Sequence, residues 1–428
     1  MTHWDFVVIG GGVAGLAAAD VLAESGASVL LLEARARLGG RVWTRRVSHW
    51  PVPIELGAEF VHGRMPAVMD VAREAGLPVA RIPDVHLELR RGRLREMHDT
   101  WKRFEKLTRR MRSSGTDRSI SDFLASHRGL SHADRRLLAS MVEGYEAAPL
   151  LRASEKALST AGEADSRPAE REQLRVLSGY DGIVNALARR LRRHGGHVRL
   201  RTEVRAIRWR PGRVAVETAS GRRVEARRAI VTLPVGVLQA ASGSRGAVRL
   251  DPFPDSTRRA LCGIAMGQVV RLVFRFRESF WRERLGENDD ASFFHGRGPF
   301  RTLWSAAPLD LPMLTAWAGG PAASRLLAEG AETVRREALQ TIAEVFGAPR
   351  SRVRRLLVDV HAHDWSRDPF SRGAYSYQLV GGSGAPALLA RPVARTLFFA
   401  GEATAPDESG TVTGAIASGR RAARRALR

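Results

Sequence analysis

The stretch DFVVIGGGVAGLAAADVLAESGASVLLLEARARLGGRVWT, residues 5–44, decides the fold. Four apolar residues, Phe6 to Ile9, run up against glycine, the pattern of a short buried strand. Gly10, Gly12 and Gly15 then stand at the G-x-G-x-x-G spacing. The first glycine makes a tight turn, the second lets backbone approach a pyrophosphate, and the third lets a helix pack closely on a strand. A helix beginning near Val13 offers unpaired N–H groups and a positive dipole end to that diphosphate. A second strand over 28–32, apolar from Val29, ends at Glu33, eighteen residues after Gly15. An acid there can accept hydrogen bonds from both ribose hydroxyls of an adenosine. Strand, glycine loop, helix, strand and terminal acid make a dinucleotide cradle, with NAD and FAD both open on this stretch alone. Residues 6–23 carry one charge, Asp20, and are long enough to span a membrane, but four glycines at 10, 11, 12 and 15 argue for the cradle instead.

The bulk composition narrows the partners. At 428 residues and 44% hydrophobic, the chain has room for two or so domains and a sizeable core. The net charge of +23 invites nucleic acid. Yet the excess is spread along the chain and is nearly all arginine, the only lysines being Lys102, Lys106 and Lys156. The densest run, GRRAARRALR (419–428), reads as the solvated face of a terminal helix, so nucleic acid is not the expected partner. A single cysteine, Cys262, excludes an internal disulfide and suits a reducing compartment. With no secretory leader pattern at its start, the expectation is a cytoplasmic protein with no membrane association. Oligomeric state is not legible.

Residues 64–195 carry mostly helical patterns, broken by a hairpin over 86–97 with an Arg-Gly turn. A β-rich stretch follows over 197–238. Strands are expected at 266–277, in RTLWSA, in MLTAWAG and over 353–365, with a helical pair at 321–347. The chain closes with strand 396–401 and a helix from about 412. In MGQVVRLVFRF (266–276), alternation puts Val270, Leu272, Phe274 and Phe276 on one face and Val269, Arg271, Val273 and Arg275 on the other. That strand alone does not say whether Arg271 is a solvated charge or part of a site. Glu143 and Glu146 in EGYEA read as exposed helix charges. HAHDW (361–365) lacks the spaced partners of a metal site, and no metal is expected.

The chain resembles the flavin-containing amine oxidase family, which takes in monoamine, polyamine and spermine oxidases and the flavin histone demethylases. The resemblance rests on GGGVAGL, LEARARLGGR, ELGAEFVHG, VRAIRW, IVTLPVGVL, WSRDPFSRGAYSY and FFAGEATAPDESGTVTGAIASGRRAA, in the family's order and spacing from residue 5 to 428. It implies an α/β fold: a Rossmann-type FAD-binding domain with an inserted α+β substrate domain. The FAD-binding domain would be discontinuous, residues 1–80, 196–242 and 391–428. The substrate domain would comprise 81–195 and 243–390, helical over 100–195 and β-sheet over 260–390.

By the same resemblance Gly10, Gly12 and Gly15 hold the FAD diphosphate, while Glu33 and Arg35 lie by the adenosine. Gly40 and Arg41 lie near the ribityl–phosphate arm, Gly57 and Ala58 against the isoalloxazine, and Val204 meets adenine through its backbone. Gly401 and Glu402 bind the ribityl or phosphate region, and Thr411, Val412 and Thr413 start a helix aimed at the flavin's pyrimidine edge, where a positive dipole end favours reduced flavin. Trp365 and Tyr375, ten residues apart, flank the flavin, with Tyr375 one wall of an aromatic cage for the amine. Three departures matter. Ala374 stands where monoamine oxidases carry a flavin-linking cysteine, so FAD is expected to be non-covalent. Thr411 replaces the opposite cage tyrosine. Arg271 replaces a lysine that holds a water near flavin N5, and arginine is a larger fork that stays protonated. His62 matches a histidine of animal polyamine and spermine oxidases.

The implied reaction is hydride transfer from a neutral amine to flavin N5, giving an imine that hydrolyses, with O2 reduced to H2O2. Three alternatives stay open: a related FAD enzyme acting on a non-amine, an amino-acid substrate whose carboxylate Arg271 holds, and a non-catalytic flavoprotein binding an acidic partner.

Overall fold

In a computed structural model, which describes residues 3–63, 65–164 and 172–428, the opening stretch forms strand β1 (His3–Ile9), helix α1 (Val13–Glu24) and strand β2 (Val29–Leu32). The two strands pair in parallel, Phe6 with Val29 through Ile9 with Leu32. Both faces are covered, which is why both runs are continuously apolar. Phe6, Val8, Val29 and Leu31 pack into one core with α1, helix Asp181–Arg193 and the C-terminal helix Val412–Leu427. Val7, Ile9, Leu30 and Leu32 pack into a second core on the opposite face.

This eight-stranded sheet runs in the order 197–199, β2, β1, 223–231, 213–218, 204–210, 249–251. The strand Arg223–Val231 is long enough to serve three partners. One edge lies along β1, and the other pairs first with 213–218 and then, in parallel, with Leu397–Phe399. The beginning and end of the chain therefore meet in one sheet, as the sequence implied.

A seven-stranded sheet of order 357–362, 269–276, 313–319, 302–305, 293–295, 86–90, 93–96 forms the second layer system. One face of Val269–Phe276 buries Val270, Leu272, Phe274 and Phe276 against helices Gly320–Glu329 and Ala331–Val345. The 86–97 hairpin forms as expected and adds the edge of this sheet, turning at Arg91 (φ 49°) and Gly92 (φ 76°). A small sheet of 60–62, 173–176 and 79–81 and a helical cluster over 100–160 complete the fold.

Three expectations are corrected. The strand expected over 353–365 is helix Arg350–Leu356 followed by strand Leu357–Ala362. Pro349 starts a helical turn there, and strand begins where the chain pairs with 269–276. Helix Asp181–Arg193, expected with the substrate part, packs Ile183, Val184, Leu187 and Leu191 into the α1 core because its apolar stripe finds cover only there. The dinucleotide sheet also reaches past residue 242, to the strand Arg249–Asp251. No helix among the described residues is long and apolar enough to cross a membrane.

Candidate active site

One cavity of about 1140 Å³ runs between the two sheets and under the helical cluster. That exceeds the ~300–1,000 Å³ of ordinary small-molecule sites and suits a dinucleotide with a substrate beside it.

The cradle end is built by β1, α1 and β2. A Cβ on Gly15 would lie 1.9 Å from the Gly10 carbonyl oxygen, so this glycine is dictated by helix-on-strand packing. Gly10 (φ 107°) turns against Thr232. Gly12 is different: a Cβ there would meet only the Gly39 oxygen, at 4.0 Å. Nothing inside the protein needs that glycine, and the space it leaves borders the cavity. Gly12 also N-caps α1 without any side-chain cap, leaving the helix's first N–H groups for an anion. Glu33 is held in the cavity wall by the backbone N–H groups of Gly11 and Arg35, each at 2.7 Å. These features fit the diphosphate and ribose of FAD.

The other expected cofactor residues also border this cavity. Arg35 pairs with Asp368 at 2.7 Å, donates to the Ser371 hydroxyl at 2.9 Å and lies over Phe370. Arg41 bridges Glu402 and the Ala374 carbonyl, both at 2.8 Å, while the other Glu402 oxygen accepts from Ser376 Oγ at 2.6 Å. Gly57 packs its α-carbon on the Arg41 carbonyl, where a Cβ would come within 1.8 Å, and Ala58 N–H donates to that same oxygen at 3.1 Å. Gly40, Val204, Gly401, Val412 and Thr413 line the walls. Thr411 N-caps the C-terminal helix: its hydroxyl accepts from Gly414 N–H at 2.9 Å and donates to Glu408 O at 2.8 Å.

At the far end, Trp365 and Tyr375 both face the cavity. The Trp365 indole N–H donates to Leu56 O at 2.9 Å. The Tyr375 hydroxyl donates to the backbone carbonyl of Tyr145, and burial pushes its pKa well up, so the ring stays neutral and fixed. Tyr145 ends a π-helical turn, Met141–Tyr145, whose Gly144 carbonyl is held by the Trp317 indole at 3.1 Å. This turn carries Glu143 and Glu146 into the cavity wall, so they are partly buried and not the exposed helix charges expected. Burial raises the Glu143 carboxyl pKa. His62 lines the same wall beside Tyr145, and burial pushes it down to about 4, which keeps it neutral.

Arg271 answers the question its strand raised. It is 7% exposed, so the solvated reading is wrong. One guanidinium nitrogen donates to Gly57 O at 2.6 Å and the other to Glu59. Glu59 in turn pairs with Arg175 at 2.6 Å and accepts from the Trp304 indole at 3.1 Å. Both terminal nitrogens of Arg271 are thus engaged within the protein, and its charge is matched by Glu59, which weakens the case for a substrate carboxylate there. Sequence reasoning missed Glu59, Arg175 and the π-turn. It also missed a fourth feature: His86 and His295, brought side by side on the cavity wall.

The sequence profile of the flavin-containing amine oxidoreductases matches residues 13–427. Polyamine oxidase 2 of Arabidopsis thaliana is 27% identical, over 97% of this chain and 86% of its own length. Lysine-specific histone demethylase 2 of Homo sapiens is 26% identical over 97% of this chain and 52% of its own length. Against two Arabidopsis thaliana demethylase homologues the chain spans 30% and 59% of the relative. Among solved structures, cyclohexylamine oxidase from Brevibacterium oxydans superposes with TM-score 0.83 at 20% identity, covering 100% of this chain and 99% of that one. A putrescine oxidase bound to putrescine gives 0.82 at 21%, covering 99% and 98%. The chain belongs to the flavin-containing amine oxidoreductase family.

Proposed function

We propose that the protein oxidises a small-molecule amine with non-covalently bound FAD, converting the C–N bond to an imine that hydrolyses, with O2 as electron acceptor. The observation that carries this reading is the continuity of the FAD-fitting cradle with a buried, aromatic-walled chamber that ends at Tyr375. Bound FAD supplies the acceptor for the hydrogen and electron pair removed from the amine's α-carbon. The chain's own residues do the rest. Tyr375, pinned by the Tyr145 carbonyl, offers a fixed ring face to the amine, and neutral His62 adds no positive charge to repel it. Glu143 places a carboxyl in the cavity wall, where it can attract a cationic amine. Trp304, Trp317, Phe60 and Phe293 give the chamber apolar walls, and water displaced from them by a bound amine strengthens each remaining polar contact. The Arg271–Glu59 pair holds the Gly57 carbonyl and so fixes the backbone proposed to lie against the isoalloxazine. The dinucleotide-binding unit is proposed as residues 1–80, 181–251 and 391–428, with the substrate unit between.

The test of the acceptor is peroxide. A panel of primary and secondary amines in air should give amine-dependent H2O2, equal in amount to the carbonyl product. Carbonyl product formed only with an added dye acceptor would leave amine oxidation standing and refute O2.

A further inference from the structure

On the cavity-facing side of the seven-stranded sheet, register places Arg271, Trp317, Thr302 and His295 side by side across four strands. At ~4.8 Å per strand spacing, His295 sits roughly 14 Å from Arg271, toward the opposite end of the chamber. Its Nε2 lies 2.8 Å from His86 Nδ1, and His86 Nε2 lies 3.0 Å from Asp84 Oδ1. The two imidazoles are nearly coplanar, 8° apart with centroids separated by 5.1 Å. Rings stacked face to face would be closer, so this is an end-to-end hydrogen bond in a common plane. Phe293 covers the His86 face at 4.6 Å and 18°, holding the plane.

The protonation pattern follows from the donors and acceptors. A carboxylate only accepts, so His86 Nε2 carries its proton. In the state where His86 holds no second proton its Nδ1 accepts, so His295 Nε2 is the donor in that state. That leaves His295 Nδ1 as the unprotonated nitrogen. Burial, and after it the charge of a protonated His86, push His295 down to about 3, so a proton placed on it does not stay. Exposure rises along the chain: His295 is partly buried on the cavity wall, the His86 side chain is 17% exposed and the Asp84 side chain 49%. Few other charges face the chain. Arg81 acts on Asp84, and Glu88, the register partner of His295, is paired with Arg90. Arg301, next to Thr302, lines the cavity and acts on Glu143. No three described His, Cys, Asp or Glu residues are arranged to hold a metal, and both His86 nitrogens are already engaged.

We propose that Asp84, His86 and His295 form a proton relay that takes a proton from an incoming alkylammonium and passes it to solvent, a role that rests on the amine reading above. An alkylammonium like that of lysine has a pKa near ~10.4, so fewer than about one amine in a thousand is neutral at pH 7. Oxidation needs the lone pair, and a dry chamber disfavours the ammonium. The ammonium N–H proton moves to His295 Nδ1 as the His295 Nε2 proton moves to His86 Nδ1. His86 is then an imidazolium paired with Asp84 until water removes the proton from Nε2. The amine keeps its electron pair and nothing is oxidised or reduced. His295 is the residue that meets substrate; His86 and Asp84 are positioning residues that act through it.

The test uses the FAD-loaded protein, anaerobic stopped-flow reduction, and saturating cyclohexylamine and putrescine as probes. At pH 7, His295→Ala should slow flavin reduction about 100-fold, within the usual 10²–10⁴ of a lost acid–base group. At pH 10, where more than about a quarter of the amine arrives neutral, the loss should shrink to less than about 4-fold. Added imidazole should restore the pH 7 rate saturably, and Asp84→Asn, at a half-exposed side chain, should give a smaller loss with the same pH dependence. A loss equal at pH 7 and pH 10 with no imidazole rescue, or no loss at all, overturns the relay while leaving amine oxidation intact. If neither these probes nor any other amine reduces the unsubstituted protein, the amine reading falls and the relay with it.

Discussion

Replacing Arg271 by methionine isolates the buried ion network from the rest of the site. The substitution removes one cation from Glu59 and one donor from the Gly57 carbonyl, and it keeps comparable apolar bulk. Removing one partner of a buried ion pair costs ~3–5 kcal/mol. Glu59 keeps Arg175 at 2.6 Å and the Trp304 indole, so the low end applies, about 3 kcal/mol. With an unfolding entropy of ~2.1 cal/mol/K per residue, a 428-residue chain unfolding as one unit changes by about 0.9 kcal/mol per degree. The expected fall in Tm is therefore about 3 °C, read by calorimetry on the FAD-loaded protein. It should persist in 1 M salt, because a pair this buried is little screened. Arg271→Lys should recover only part of the loss, since a single ammonium cannot serve Glu59 and Gly57 as the fork does. Combining Arg271→Met with Glu59→Gln should cost less than the two singles together, by at least about 1 kcal/mol. An unchanged or raised Tm for Arg271→Met, or strict additivity in the cycle, would refute the network.

Gly12→Ala should leave the apo protein's Tm within about 1 °C, since its Cβ meets nothing closer than 4.0 Å, yet weaken FAD binding at least 10-fold by fluorescence titration. Gly15→Ala should instead destabilise the apo fold itself, because its Cβ falls 1.9 Å from a backbone oxygen; equal behaviour of the two variants would contradict this division of labour. Glu55 accepts from Tyr180 N–H and Thr44 Oγ1, and burial pushes it up to about 7. Its folded pKa lies above the unfolded ~4.3, so its contribution is fully present below about pH 4 and is lost as pH rises to 7, an interval worth roughly 4 kcal/mol. Glu55→Gln should flatten that part of the Tm-against-pH curve, and an equally steep curve would show that Glu55 titrates normally.

What the sequence disclosed was local or periodic. The β1–α1–β2 cradle is legible because Gly15 packs on Gly10 and Glu33 holds Gly11, contacts that span at most about two dozen residues. The buried face of 269–276 is legible because strand alternation is independent of the partner. The fate of Arg271 is not, since its carboxylate partner lies 212 residues away. The π-turn at 141–145 has no local signature either. Its carbonyls are held by Trp317 and Tyr375, which the fold brings in from other elements. His86 and His295 each look like isolated histidines on short strands, and only the parallel pairing of 86–90 with 293–295 makes them a pair. The misplaced helix 181–193 shows the same limit, because a strong apolar stripe says that a helix is covered but not by what.

An amine bound beside Tyr375 is proposed to give up its electrons to flavin held in the cradle. The most direct measurement of this transfer is the visible absorption of the purified, FAD-loaded protein during anaerobic addition of amines, beginning with cyclohexylamine and putrescine. At least one amine should bleach the oxidised flavin band, one carbonyl product should appear per flavin reduced, and Tyr375→Ala should slow the bleaching at least 10-fold. A flavin that no amine bleaches, in a protein that binds FAD and is fully reduced by dithionite, would contradict the transfer.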